Sequence, residues 1–216
     1  MSRHDDLSRV LESGIVAILR APSGELLGDV AEALFEGGID IIEVTFTVPG
    51  ALDILKELKE RLGDRILLGA GSVLDVETAR SAILAGAEFI VSPVVNTDVI
   101  QLCNRYDKMI MPGAFTPTEV LTAWEAGADI IKVFPADIGG PAHLKALHGP
   151  LPHVRLMPTG GVNLDTLQSF VDAGACAVGL GSALVEKKAV ADGDMERIRR
   201  LAVEYVRKMQ VARGEI

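Results

Sequence analysis

Eight short runs of aliphatic and β-branched residues recur along the chain, and that count constrains its fold more than any other feature. They are Ile15-Arg20, Ile41-Phe46, Ile66-Gly71, Phe89-Ser92, Met109-Met111, Asp129-Phe134, Val154-Thr159 and Ala177-Gly181. Each has strand length. The segments between them return apolar residues every three or four positions, as at Leu26, Val30, Ala33 and Leu34, so strand and helix alternate throughout. Four helix ends repeat a glycine theme just before a strand: Glu36-Gly37-Gly38, Ala85-Gly86-Ala87, Ala126-Gly127-Ala128 and Ala173-Gly174-Ala175. Glycine there accepts the left-handed conformation that closes a helix. The spacing of the four marks reads as a quasi-repeat of βαβα modules.

This alternation predicts an α/β fold with parallel strands, a (β/α)8 TIM barrel, with an open doubly wound sheet as the alternative. Even strand spacing favours closure, as does the absence of a G-x-G-x-x-G opening the first helix. An extra N-terminal helix is expected at Asp5-Glu12 and a last helix at about Asp194-Val211, its basic C-terminal half matching the helix dipole. With no linker or low-complexity stretch, residues 1–216 read as one domain.

The 216 residues are 49% hydrophobic with a formal net charge of −9, which supplies a substantial core and argues against nucleic acid as the main partner. No apolar run is long enough to span a bilayer and no leader pattern opens the chain, so no membrane partner and a cytoplasmic location are expected. Cys103 and Cys176 are widely separated, and His4, His143, His148 and His153 form no ligand spacing. Neither a metal nor any other cofactor is called for.

In a TIM barrel the active site lies at the C-terminal ends of the strands, so a charge inside an apolar run is the feature to seek. Lys132 interrupts Asp129-Ile-Ile-Lys-Val-Phe-Pro135, and Glu43 interrupts Asp40-Ile-Ile-Glu-Val-Thr-Phe46. Period-two alternation puts Ile130, Lys132 and Phe134 on one face and Ile41, Glu43 and Thr45 on another. If both faces point inward, amine and carboxylate enter one cavity. Desolvation disfavours an ammonium, and a neutral amine attacks ketones to give an imine that acts as an electron sink for carbon–carbon cleavage. Glu43 is then the proton carrier. The alternative is a buried ion pair without chemistry, but such pairs seldom stabilise a fold relative to apolar replacements.

Pro158-Thr-Gly-Gly-Val-Asn163 follows the seventh run and Gly179-Leu-Gly-Ser182 the eighth. Loops after strands seven and eight are the recurrent phosphate site of this fold, so Gly160, Gly161, Gly181 and Ser182 are the phosphate candidates. Arg20 and Ser72 are candidates for a substrate carboxylate. Pro93, Thr116 and Thr159, at other strand ends, are further substrate-binding candidates, while Trp124 and Phe115 read as packing residues.

Several stretches together are specific: Gly14-Ile-Val-Ala-Ile-Leu-Arg20, Ile42-Glu-Val-Thr-Phe-Thr-Val-Pro49, Gly69-Ala-Gly-Ser-Val73, Phe89-Ile-Val-Ser-Pro93, Met111-Pro-Gly-Ala-Phe-Thr-Pro117, Ile131-Lys-Val-Phe-Pro-Ala136, Pro158-Thr-Gly-Gly-Val162 and Gly181-Ser-Ala-Leu184. In these, over nearly its whole length, the chain resembles the 2-keto-3-deoxy-6-phosphogluconate (KDPG) / 4-hydroxy-2-oxoglutarate (KHG) aldolase family of class I aldolases. The resemblance implies a homotrimeric TIM barrel in which Lys132 forms an imine with pyruvate or the intact substrate. It implies Glu43 as general acid/base, a carboxylate site near Ser72 and a phosphate site on the two glycine loops. The implied reaction is cleavage of 2-dehydro-3-deoxy-6-phosphogluconate to pyruvate and glyceraldehyde 3-phosphate. Variants of it act on 4-hydroxy-2-oxoglutarate or 2-dehydro-3-deoxy-6-phosphogalactonate. The chain departs from many members at Ser72, where they have threonine, and from some at Thr47, where they have arginine. Readings from other classes are a phosphosugar isomerase or epimerase and a non-catalytic phosphosugar-binding barrel.

Overall fold

The computed structural model describes residues 2–21 and 24–216. Helix α1 (Arg3–Ser13) comes first, and strands β1 (Ile15–Leu19), β2 (Ile41–Thr45), β3 (Leu67–Gly71) and β4 (Phe89–Val91) follow, separated by α2 (Leu27–Glu36), α3 (Ala51–Leu62) and α4 (Val76–Leu84). After α5 (Thr97–Arg105), the fifth run forms β5 (Met109–Met111), and beyond Pro112 the extended chain resumes as β6 (Gly113–Ala114). Proline has no N–H to donate to a ladder, so the run breaks there and changes partner. The upstream half pairs with β4 and the downstream half with the next strand. The chain continues through α6 (Pro117–Glu125), β7 (Ile131–Val133), α7 (Ala136–His148), β8 (Leu156–Pro158), α8 (Leu167–Asp172), β9 (Val178–Leu180), α9 (Lys187–Asp192) and α10 (Met195–Arg213).

All the strand pairs are parallel. A bridge between Thr159 and Gly179 joins β8 to β9, and β9 pairs with β1, which closes the barrel. The strands are shorter than the apolar runs at several ends; the sixth run, for example, is regular only over Ile131–Val133. Gly38, Gly86, Gly127 and Gly174 all have positive φ, between 92° and 108°, so the helix-end theme of the sequence has one geometry at four places. An alanine at any of them would be strained.

The barrel interior is packed in layers. Val16, Ile41, Leu67, Phe89, Val91, Met109, Met111, Ile130, Met157 and Ala177 form one buried cluster distinct from the layer between barrel and helices. Helix α1 seals its lower end: Val10 is fully buried in that cluster, worth about 1.5–3 kcal/mol. Charge contacts fix the helix there. Arg3 donates to Asp129 at 2.8 Å and to the Gly127 carbonyl at 2.8 Å, and Arg9 donates to Asp40 at 2.7 Å. Arg213, at the end of α10, donates to the carbonyls of Glu12 and Cys176 and ties the last helix to the first. With this end closed, the open mouth lies at the C-terminal ends of the strands. No helix among the described residues is long and apolar enough to cross a membrane.

Candidate active site

The strand registers determine which side chains share a level. Stepping one residue along at each strand, the path from Glu43 passes Val91, Lys132 and Gly179 and returns to Glu43. These four, from alternate strands, make one layer of the barrel. Glu43 and Lys132 therefore stand on opposite walls at one height. Below them lies the apolar layer of Val16, Gly69, Met111 and Met157; above them lie Ile18, Gly71, Gly113 and Thr159. Two of the four upper positions are glycine, where the Glu43 carboxylate and the Pro93 backbone occupy the space a Cβ would take.

Glu43 is fully buried, and neither carboxylate oxygen has a hydrogen-bond partner among the described residues. Burial pushes its pKa up, while the positive charges of Lys132 and then Arg20 pull it back. Lys132 is 6% exposed and lies 5.2 Å from the centre of the Phe134 ring, which sits above it on the same inward face. No direct ion pair joins Lys132 to Glu43, so a buried salt bridge does not account for the two charges.

Gly71 makes room for the carboxylate. A Cβ on Gly71 would lie 1.7 Å from Glu43 Oε1 and 2.3 Å from its Cδ, so any larger residue displaces the Glu43 side chain. Gly71→Ala is expected to lower turnover about 100-fold, since a displacement of about 1 Å costs that much in a positioned site. The circular dichroism spectrum is expected to stay native. Wild-type turnover in this variant would show that Glu43 need not stand where it does.

Above the charged layer a cavity of about 500 Å³ opens between the ends of β7, β8, β9 and β1. Arg20, Thr159, Gly160, Gly161, Gly181 and Ser182 line it together with Phe134 and Lys187. Gly160 and Gly161 have φ of 98° and 70°, which turns the backbone so that the loop can present its amides. No acceptor among the described residues takes the N–H groups of Gly161, Gly181 or Ser182. The Thr159 hydroxyl, 6% exposed, also lacks a partner. Buried or converging donors without acceptors mark an anion site.

Three sequence candidates lie elsewhere. Thr116 is the N-cap of α6, where its hydroxyl takes the Glu119 N–H at 3.3 Å and donates to the Glu119 carboxylate at 2.9 Å in a capping box. It is exposed and lines no part of the cavity; local capping chemistry sets its place, since the T-P-x-E pattern is a helix start. Ser72 and Pro93 end β3 and β4, across the mouth from the cavity, and Ser72 is held at φ 59°. Arg20 lines the cavity instead of joining Ser72, and it has no ion pair among the described residues. Two contributors escaped the sequence reading. Phe134 was visible as a member of the Lys132 face but was counted only as apolar flanking, and nothing local in the sequence distinguishes Lys187. Among the described residues no cluster of His, Cys, Asp or Glu is arranged to hold a metal ion.

Comparison with known proteins places the chain in a family. The family model described as KDPG and KHG aldolase matches residues 7–201. A 2-dehydro-3-deoxy-phosphogluconate aldolase of Treponema pallidum is 38% identical over 80% of this chain and 82% of its own length. A 2-dehydro-3-deoxy-6-phosphogalactonate aldolase of Escherichia coli K12 is 34% identical over 92% of this chain and 95% of its own. Among solved structures, a KDPG aldolase from Legionella pneumophila, with pyruvate captured as a covalent carbinolamine, superposes with a TM-score of 0.86. It is 29% identical and covers 92% of this chain and 96% of that one. The fold and site define a carbon–carbon lyase of the class I aldolase type. The chain belongs to the KDPG and KHG aldolase family.

Proposed function

We propose that this chain cleaves 2-dehydro-3-deoxy-6-phosphogluconate to pyruvate and glyceraldehyde 3-phosphate, with Lys132 as imine-forming nucleophile and Glu43 as general acid/base. The observation that carries the reading is the layer itself. An amine and an unpartnered carboxylate face each other under a cavity whose far side presents free amides. Lys132 Nζ adds to the C2 ketone and the carbinolamine loses water to give an iminium. The Glu43 carboxylate takes the proton of the C4 hydroxyl, the C3–C4 bond breaks, and its electron pair flows into the iminium to give an enamine while the aldehyde leaves. Protonated Glu43 returns the proton to C3, and water releases pyruvate and restores the amine.

In this reading Arg20 and Thr159 orient the oxygens of the intact substrate, and the amides of Gly160, Gly161, Gly181 and Ser182 take the phosphate. Ser72 and Pro93 bound the pyruvate end from the opposite arc of the mouth. The enzyme acts in the cytoplasm as a homotrimer; Leu74 and Val94, 54% and 46% exposed on consecutive βα loops, are apolar groups available for such a contact. The test is a kinetic comparison of the phosphorylated gluconate-derived acid, its galactonate-derived C4 epimer, 4-hydroxy-2-oxoglutarate and the unphosphorylated gluconate-derived acid. The highest kcat/KM is expected for the first. A preference for the epimer or for 4-hydroxy-2-oxoglutarate overturns the substrate assignment, and equal efficiency with and without phosphate overturns the anion loops.

A further inference from the structure

Lys187 and Arg20 are the two cations of the cavity, and Lys187 is the one at its outer rim. It lines the cavity, it carries a positive charge at the rim beyond the Gly181-Ser182 loop, and it makes no hydrogen bond or ion pair among the described residues. Its neighbours in sequence are already engaged. Glu186 holds Arg197 through two hydrogen bonds at 3.0 and 3.1 Å, and Lys188 pairs with Asp192. The carboxylate nearest in sequence is therefore occupied elsewhere, and Lys187 remains a free cation facing the anion loops.

The charge balance of the site calls for such a group. The free amides of Gly161, Gly181 and Ser182 supply hydrogen bonds but only partial charge. Asp137 places a carboxylate against the same loop: a Cβ on Gly160 would lie 3.4 Å from Asp137 Oδ1, and one on Gly161 would lie 2.6 Å from the Asp137 Cβ. Asp137 has no ion-pair partner among the described residues. The whole chain carries a net charge of −9, so an anionic substrate meets a repulsive field on approach. The other cation of the cavity, Arg20, lies close enough to Glu43 to act on its ionisation and so serves the inner end. The buried, unpartnered Thr159 hydroxyl in the same cavity is an independent sign that a polar ligand occupies it.

We propose that Lys187 is a specificity-determining residue, the cation that recognises the distal phosphate monoester of the substrate and separates phosphorylated from unphosphorylated keto acids. This rests on the assignment of the cavity as the phosphate end of the aldolase site. A distal carboxylate, as in 4-hydroxy-2-oxoglutarate, is the other source of a distal anion, and the test includes it.

Lys187→Ala and Lys187→Arg are compared with the unaltered enzyme in cleavage of the phosphorylated acid, the unphosphorylated acid and 4-hydroxy-2-oxoglutarate. Inorganic phosphate is titrated against each by calorimetry at low and high salt. For Lys187→Ala the KM of the phosphorylated acid is expected to rise about tenfold, the loss of one charge-assisted contact, with kcat little changed. The unphosphorylated acid is expected to shift less than twofold, phosphate affinity to fall by a similar factor as the phosphorylated acid's, and Lys187→Arg to restore both. The loss is expected to shrink at high salt. An unchanged KM for the phosphorylated acid in Lys187→Ala, with tight phosphate binding in the unaltered enzyme, sinks the role of Lys187 while leaving the amide loops in place. A rise confined to 4-hydroxy-2-oxoglutarate reassigns the residue to a carboxylate and overturns the proposal. If the unaltered enzyme binds no phosphate although it still condenses with pyruvate, the phosphate reading of the cavity fails and Lys187 fails with it.

Discussion

Lys132→Ala is expected to abolish cleavage, with a fall in kcat of at least about 10⁴-fold, because removing a covalent nucleophile removes the reaction path. The neighbouring geometry makes the result specific. Lys132 is the one amine of the four side-chain positions in its layer, and its Nζ lies 5.2 Å from the centre of the Phe134 ring. Borohydride added with pyruvate is expected to attach a stable reduced adduct at Lys132 in the unaltered enzyme and nowhere in the variant. Lys132→Arg keeps the positive charge opposite Glu43 but cannot form an imine, so it separates electrostatics from chemistry: it is expected to be as inactive as the alanine variant. Residual activity near the unaltered level in either, or an adduct at another lysine, removes Lys132 from the mechanism.

Glu43→Gln has the second largest expected effect, a fall in turnover of about 10² to 10⁴-fold with much smaller loss of pyruvate capture, because it removes proton transfer but leaves the amine. Its pH behaviour follows from burial. The carboxyl is raised above its ordinary value near 4.5 by desolvation, against the pull of Lys132 and Arg20. A carboxyl whose folded pKa is raised binds more protons folded than unfolded, so the native state loses stability as pH climbs from the unfolded value through the raised one. Glu43→Gln removes that penalty. The variant is therefore expected to melt higher than the unaltered enzyme above this window, the difference vanishing below pH 4, while the acid limb of the kcat profile attributed to Glu43 disappears. A melting temperature that is lower at neutral pH would mean that the Glu43 carboxylate is satisfied by a partner that glutamine cannot replace.

The opposition of activity and stability at Glu43 illustrates how the site is made. Both Glu43 and Thr159 violate the rule that buried polar groups are paired, and Gly71 leaves the place of its missing side chain to the Glu43 carboxylate. The two apolar layers and the α1 plug beneath supply the rigid, dry floor that keeps these groups from relaxing toward one another or toward water.

By itself the sequence determined the alternation of strand and helix, the parallel strands, the glycine turns that close four helices, and the faces that Glu43 and Lys132 share with their period-two neighbours. All of these follow from periods of two and about 3.6 residues and from local backbone chemistry, which a short window of sequence contains. Only the tertiary structure decided that the two charges share one layer on opposite walls. The height of a residue around a closed barrel depends on a stagger accumulated over every strand, and no single strand records it. Tertiary structure also decided that Ser72 and Pro93 lie across the mouth from the cavity and that Lys187 reaches its rim. Those positions depend on how loops far apart in the chain converge, and the sequence around each residue carries no trace of that convergence.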